Sequence, residues 1–145
     1  MKRIIALAAV MSLLFVACQN NSKTDIVFCV AKNYFVKNTV EKLDNPKIET
    51  ADKFHEIFGM ATTMGQDGKP TEIDFTKQYV IAVLLPETDL LTTVEPVSLQ
   101  RDKAGEITLT YKSVVGHKQS FTTKPNFVII VDKVEYGNIT LKEIK

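Results

Sequence analysis

The stretch Tyr79-Val80-Ile81-Ala82-Val83-Leu84-Leu85 is an unbroken apolar run, and Pro86 closes it. A strand with one wet face would alternate between apolar and polar residues, so a continuous run of this kind marks a strand covered on both faces. A second run, Phe127-Val128-Ile129-Ile130-Val131, has the same character. The two are therefore expected as neighbouring central strands, with other elements packed above and below them.

Reading outward, residues 106–114 alternate cleanly, with Ile107, Leu109 and Tyr111 on one face and Thr108, Thr110 and Lys112 on the other, as a half-buried strand does. Its expected flanking turns are 101–105 and 115–118. Residues 92–100, holding Pro96, form a weaker strand at an edge or bulge, and 139–144 alternate after the turn signal Tyr136-Gly137-Asn138. The segment 26–36, rich in β-branched and aromatic residues, is expected as a strand bent near Lys32-Asn33, and 38–49 as a connection. One helix is legible: Thr50 is a natural N-cap, Asp52 sits in the first turn, and Phe54, Ile57 and Phe58 share one face, with Gly59 as the stop. Residues 62–72, with Gly65, Gly68 and Pro70, form an exposed loop. One helix with five to seven strands defines an α+β domain of mostly antiparallel sheet, a compact sandwich or half-open barrel capped by the helix.

The first residues carry an address. Lys2 and Arg3 precede an apolar segment, 4–16, that is too short to span about 30 Å of hydrocarbon and is typical of a signal peptide. The segment ends Phe15-Val16-Ala17-Cys18, which resembles a bacterial lipobox, with Phe15 in place of the usual leucine. The expected organisation is a lipoprotein signal peptide at 1–17, a lipidated Cys18 with a polar tether at 18–25, and one globular domain at 26–145. The alternative is a plain secretory leader in which Cys18 is a chance thiol, able to pair with Cys29 when unlipidated. If Cys18 is acylated, Cys29 has no partner and is expected as a small buried hydrophobe.

Composition narrows the function. The 145 residues hold 18 Lys and Arg against 17 Asp and Glu, and loss of Lys2 and Arg3 with the leader leaves 16 − 17 = −1. No basic field exists to hold nucleic acid. His55 and His117 are the only histidines, neither has a partner at ligand spacing, and no metal or cofactor is implied. There is no nucleophile elbow and no glycine cluster for phosphate. Asp74, between Ile73 and Phe75, is the one carboxylate that burial would make interesting; otherwise it caps a turn. The segment 86–91 leaves a core strand with two acids and then Leu90 and Leu91, which either form an exposed binding tip or turn inward to begin the next strand.

The helical Phe54-x-x-Ile57-Phe58, then Pro70, Ile73-Asp74-Phe75, the core run from Tyr79 and the final Pro125-Asn126-Phe127-Val128-Ile129-Ile130-Val131 together resemble the PrcB-like domain over residues 54–133. That family consists of small bacterial surface lipoproteins and secreted domains, named for a member that stabilises a cell-surface protease complex. The resemblance implies a binding role, with a protease among the expected partners. Where the family has a Gly-Gly-Tyr-like turn after the core strand, this chain reads Pro86-Glu87-Thr88-Asp89. The leader and Tyr34-Phe35-Val36-x-Asn38 are similar to small lipoproteins of gut Bacteroides-type bacteria, which implies an outer-membrane anchor on the periplasmic or surface face.

Two functions of different class follow. One is a lipid-anchored, non-enzymatic envelope module that stabilises or inhibits a protein partner, such as a secreted protease, through Glu87, Thr88, Asp89, His117 and Lys118. The other is a small envelope ligand-binding protein or enzyme with a pocket between sheet and helix that holds Asp74 or Tyr34.

Overall fold

A computed structural model describes residues 22–145 of the chain. Cys18 and the leader lie outside the described residues. In chain order the elements are β1 (Thr24–Asp25), β2 (Cys29–Val30), β3 (Tyr34–Val36), β4 (Lys47–Ile48), α1 (Ala51–Ile57), β5 (Phe58–Met60), β6 (Gln78–Leu84), β7 (Thr88–Arg101), β8 (Ile107–Thr123), β9 (Asn126–Asp132) and β10 (Ile139–Ile144).

The two apolar runs are β6 and β9, paired antiparallel with Ile81 opposite Ile129 and Val83 opposite Phe127. They form the middle of one sheet, in the order β2-β9-β6-β4. Successive side chains of a strand point to opposite faces, so each strand sends its odd positions one way and its even positions the other. Tyr79, Ile81, Val83, Phe127, Ile129 and Val131 share a core with Leu99, Ile107, Leu109 and Tyr111 of a second sheet, ordered β1-β7-β8-β10. Val80, Ala82, Val128 and Ile130 share another with Ile48, Phe54, Ile57 and Phe58, the side of α1, β4 and β5. Both faces of β6 and β9 are thus dry, which is why neither strand alternates.

The sheets are open and do not close into a barrel, and the face-to-face packing is compatible with a sandwich. Every strand pair is antiparallel except β8 with β10, whose residues 107–112 and 139–144 run parallel. With a single helix of seven residues, α+β is a loose description of a chain dominated by sheet.

The pairs β6/β9 and β7/β8 are nested, so the chain forms one long two-stranded ribbon folded back on itself. The Leu85 amide donates to the Pro125 carbonyl at 2.8 Å where the ribbon turns. At the far end the residues that flank the tip are tied to the connection between β9 and β10: the Ile107 amide donates to the Asn138 carbonyl at 2.9 Å and Arg101 pairs with Glu135 at 2.8 Å.

The helix starts as its sequence dictates, with the Thr50 hydroxyl accepting from the Lys53 amide at 3.3 Å, and buries Phe54 and Ile57. It stops one residue before the expected glycine. Phe58 is already extended and opens β5, where Gly59 faces Phe35 so closely that a Cβ would stand 2.3 Å from the ring. Three other expectations need correction. The segment 26–36 is two short strands in different sheets, because Asn33 takes a left-handed conformation, φ 62°, that ends the run. Cys29 is exposed: β2 is a two-residue edge strand, and its neighbours Phe28 and Ala31 take the two core faces. The connection 38–49 contains β4, which pairs with β6.

Candidate functional site

Fourteen residues of β7 would span about 47 Å at about 3.4 Å per residue, twice the roughly 24 Å of seven-residue β6. Both ends of the β7/β8 ribbon are tied to the body, so the surplus length must bend. Register shifts mark the bends, between Thr88 and Leu90, Leu90 and Thr92, and Pro96 and Ser98. Between the pairs Leu90↔Lys118 and Thr88↔Thr123, β8 advances five residues while β7 advances two. Neither β1, which pairs at Gln100 and Arg101, nor β10, which pairs as far as Lys112, reaches this part of the ribbon. The result is a two-stranded arm, 88–94 against 113–123, whose outer edges pair with no other strand.

Among the polar residues of the arm, five large apolar side chains are wet. Leu90, Leu91, Val114, Val115 and Phe121 are exposed, the last two at 59% and 58%. Large side chains gathered on one exposed element differ from the scattered ones that any surface carries. An uncovered strand edge is costly unless it is blunted or used. Here β7 is partly blunted, since the Leu90 amide donates to the Thr88 hydroxyl at 3.1 Å and its carbonyl accepts from Thr92 at 3.0 Å.

The five residues expected to contact a partner meet on this arm. Asp89 pairs with Lys118 at 3.1 Å, His117 is the next residue, Thr88 stands opposite Thr123, and Glu87 accepts from the Thr122 hydroxyl at the base. Glu87 lies in the short connection before β7, as expected, but the other four are strand residues and not loop residues. Thr88 already begins β7, and the expected turn at 115–118 is continuous β8, in which Gly116 packs close to Leu91. Leu90 and Leu91 do begin the next strand, yet they stay in solvent.

A second feature lies on the opposite side of the β6/β9 sheet. A cleft of about 670 Å³ opens between α1, the β3/β5 pair and the loop that follows β5. Tyr34, Phe54, Met60, Ile73 and Phe75 line it, with Lys69, Glu72, Asp74 and His55 also at its walls. The Tyr34 hydroxyl donates to the Thr71 carbonyl at 2.7 Å, and burial, reinforced by Glu72, raises its pKa.

Asp74 is exposed and serves as a turn cap, accepting from the Thr76 amide at 3.0 Å and from the Thr76 hydroxyl. Those hydrogen bonds to Thr76, with Lys77 and Lys133 nearby, lower its pKa, so it stays an anion and is poorly suited to donate a proton. Among the described residues no three His, Cys, Asp or Glu converge as a metal site, and no helix is long and apolar enough to cross a membrane. Comparison of this chain with known protein families, with characterised proteins and with solved structures found no match.

Proposed function

We propose that this chain is a lipid-anchored binding module of the bacterial envelope, without turnover of its own, that stabilises or inhibits another envelope or secreted protein through the β7/β8 arm. The observation that carries the reading is the arm itself. A small domain that buries two cores efficiently nevertheless leaves Leu91, Val114, Val115 and Phe121 in water on a ribbon with free edges. Exposed apolar surface on one element fits protein contact better than catalysis, and aromatic and aliphatic anchors supply most of the energy of such contacts.

The charged residues of the arm suit the rim of that contact. Asp89 and Lys118 form an exposed pair that adds little to stability, so they are free to exchange partners on binding. The resemblance to the PrcB-like domain makes a secreted protease the first partner class to test. Cys18 supplies the anchor in this reading, and the polar residues after it supply a short tether that ends where β1 joins the ribbon near its tip.

The experiment pairs capture with stability. Val115→Asn with Phe121→Asn, and separately Glu87→Ala with Asp89→Ala, should weaken co-purification of a partner from envelope extracts, while each exposed substitution shifts stability by no more than about 0.5 kcal/mol. Undiminished capture by the arm variants would reject the arm. A hydrolysis or transfer activity that disappears in Asp74→Asn with the fold intact would reject the non-enzymatic reading.

A further inference from the structure

An unpaired strand edge is a template for another chain, and most edges of this domain carry a device that blunts them. Strands β1, β2 and β4 are two residues long, and β3 and β5 are three. On β10, Lys142 and Glu143 fall within six residues. The open length of β7 holds Asp89, Glu95 and Pro96, which has no N–H to donate, besides the contacts of Leu90 with Thr88 and Thr92.

Beyond β10, the edge of β8 has no such protection. β10 holds that edge as far as Lys112, which stands beside Ile144. The next residues, Ser113-Val114-Val115-Gly116, include no charge and no proline, and β-branched Val114 and Val115 are 50% and 59% exposed. Among the described residues no turn or loop bonds the main chain of 113–121, and the Ser113 hydroxyl donates to Glu143 instead of closing off a neighbouring carbonyl. Consecutive side chains face opposite ways, so an added strand meets an apolar neighbour on both faces, Val114 on one and Val115 on the other. The charges at the two ends are already matched, with Glu95 opposite Lys112 and Asp89 paired with Lys118. Selection therefore falls to main-chain hydrogen bonds and apolar contact, not to charge.

We propose that β8 takes its partner by strand addition: a short extended segment of another polypeptide, uncharged and rich in β-branched residues, lines up along 113–118 directly after β10. This rests on the reading of the arm as the contact surface and names the kind of segment that the arm receives. The stretch is about 20 Å long at about 3.4 Å per residue, room for one short strand. A second copy of this chain fits worse. Its β8 is a continuous strand of 17 residues, and antiparallel pairing about Val115 drives each copy's β8 onto the other's β10.

The test builds the strand into the chain. Because β10 runs parallel to β8 with Ile144 opposite Lys112, residues appended after Lys145 follow the same edge at high effective concentration. One full chain carries the tail Val-Val-Thr-Val-Thr, and a second carries Val-Pro-Pro-Val-Thr, whose consecutive prolines remove donors from both edges of the added strand. With the first tail, amide exchange followed by NMR should slow at least about tenfold at alternate residues of 114–118 and stay unchanged across 89–94, while capture of a partner from envelope extracts falls about fivefold. The proline tail should change neither. No slowing at 114–118 with the first tail would overturn strand addition, as would equal effects from the two tails. Slow exchange in the untailed chain that grows with protein concentration would assign the edge to a second copy and overturn it as well. Undiminished capture with the edge covered would also overturn it, yet would leave the arm as the contact surface if Val115→Asn with Phe121→Asn still loses the partner. No capture by the untailed chain would overturn both readings.

Discussion

Val128 and Ile129 are consecutive residues of β9 whose side chains enter different cores, Val128 against α1 and β5 and Ile129 against the second sheet. Both are buried, Ile129 completely. Ile129→Ala removes three buried carbons opposite Ile81 and should cost about 3–4 kcal/mol, the lost transfer energy plus the cavity left behind. Val128→Ala removes two carbons, worth about 1.6 kcal/mol at 0.8 per methylene before any cavity term, so about 2 kcal/mol is expected. The control is Leu141→Ala on exposed β10, which should stay within about 1 kcal/mol. The chain has no tryptophan, so urea unfolding is followed by far-ultraviolet circular dichroism or tyrosine fluorescence, with the slope against urea unchanged. If either substitution in β9 costs less than about 0.5 kcal/mol, one face of the β6/β9 sheet is not covered and the three-layer arrangement fails.

Burial raises the Tyr79 pKa to about 12, with Glu135 and Glu49 adding to the shift and Arg101 opposing it. The unfolded chain loses this proton near pH 10 while the fold retains it, so stability falls as pH rises from about 10 to 12, by at most about 2.7 kcal/mol; Tyr79→Phe should flatten that part of the profile. Asn33→Ala loses two hydrogen bonds and must hold a left-handed residue, so faster amide exchange across 61–72 is expected with the β6/β9 core still protected. Cys18→Ser should move the protein from membrane pellets to the soluble fraction and remove a lipid mass, and unchanged membrane association would refute the anchor.

The central strands were legible because a continuous apolar run has one physical meaning for a strand, and α1 because Thr50 and the spacing of Phe54 and Ile57 are local signals. The turn role of Asp74 was legible for the same reason, since the acceptor and its donor at Thr76 are two residues apart. The arm was not. Residues 113–123 neither alternate nor form a solid apolar run, and they extend as β8 only because β7 lies alongside. The contact candidates 87–89 and 117–118 were picked as separate loops, and the pairing that joins them is a long-range property of the ribbon. Cys29 looked buried because its neighbours are apolar, but a two-residue edge strand cannot cover every side chain it carries. The cleft was half visible: Tyr34 and Asp74 were singled out, whereas the wall between them depends on Asn33 reaching Asp67 and Lys69 across the chain.

The role of the arm is tested most directly by placing a photo-crosslinking amino acid at Val115 or Phe121 of the full chain in living cells, with Val27 and Val134, exposed outside the arm, as controls. A discrete crosslinked species from the arm positions, absent from both controls and lost with Leu91→Asn, is the predicted result. No adduct from the arm, or the same adducts from all four positions, would contradict a binding function for the β7/β8 ribbon.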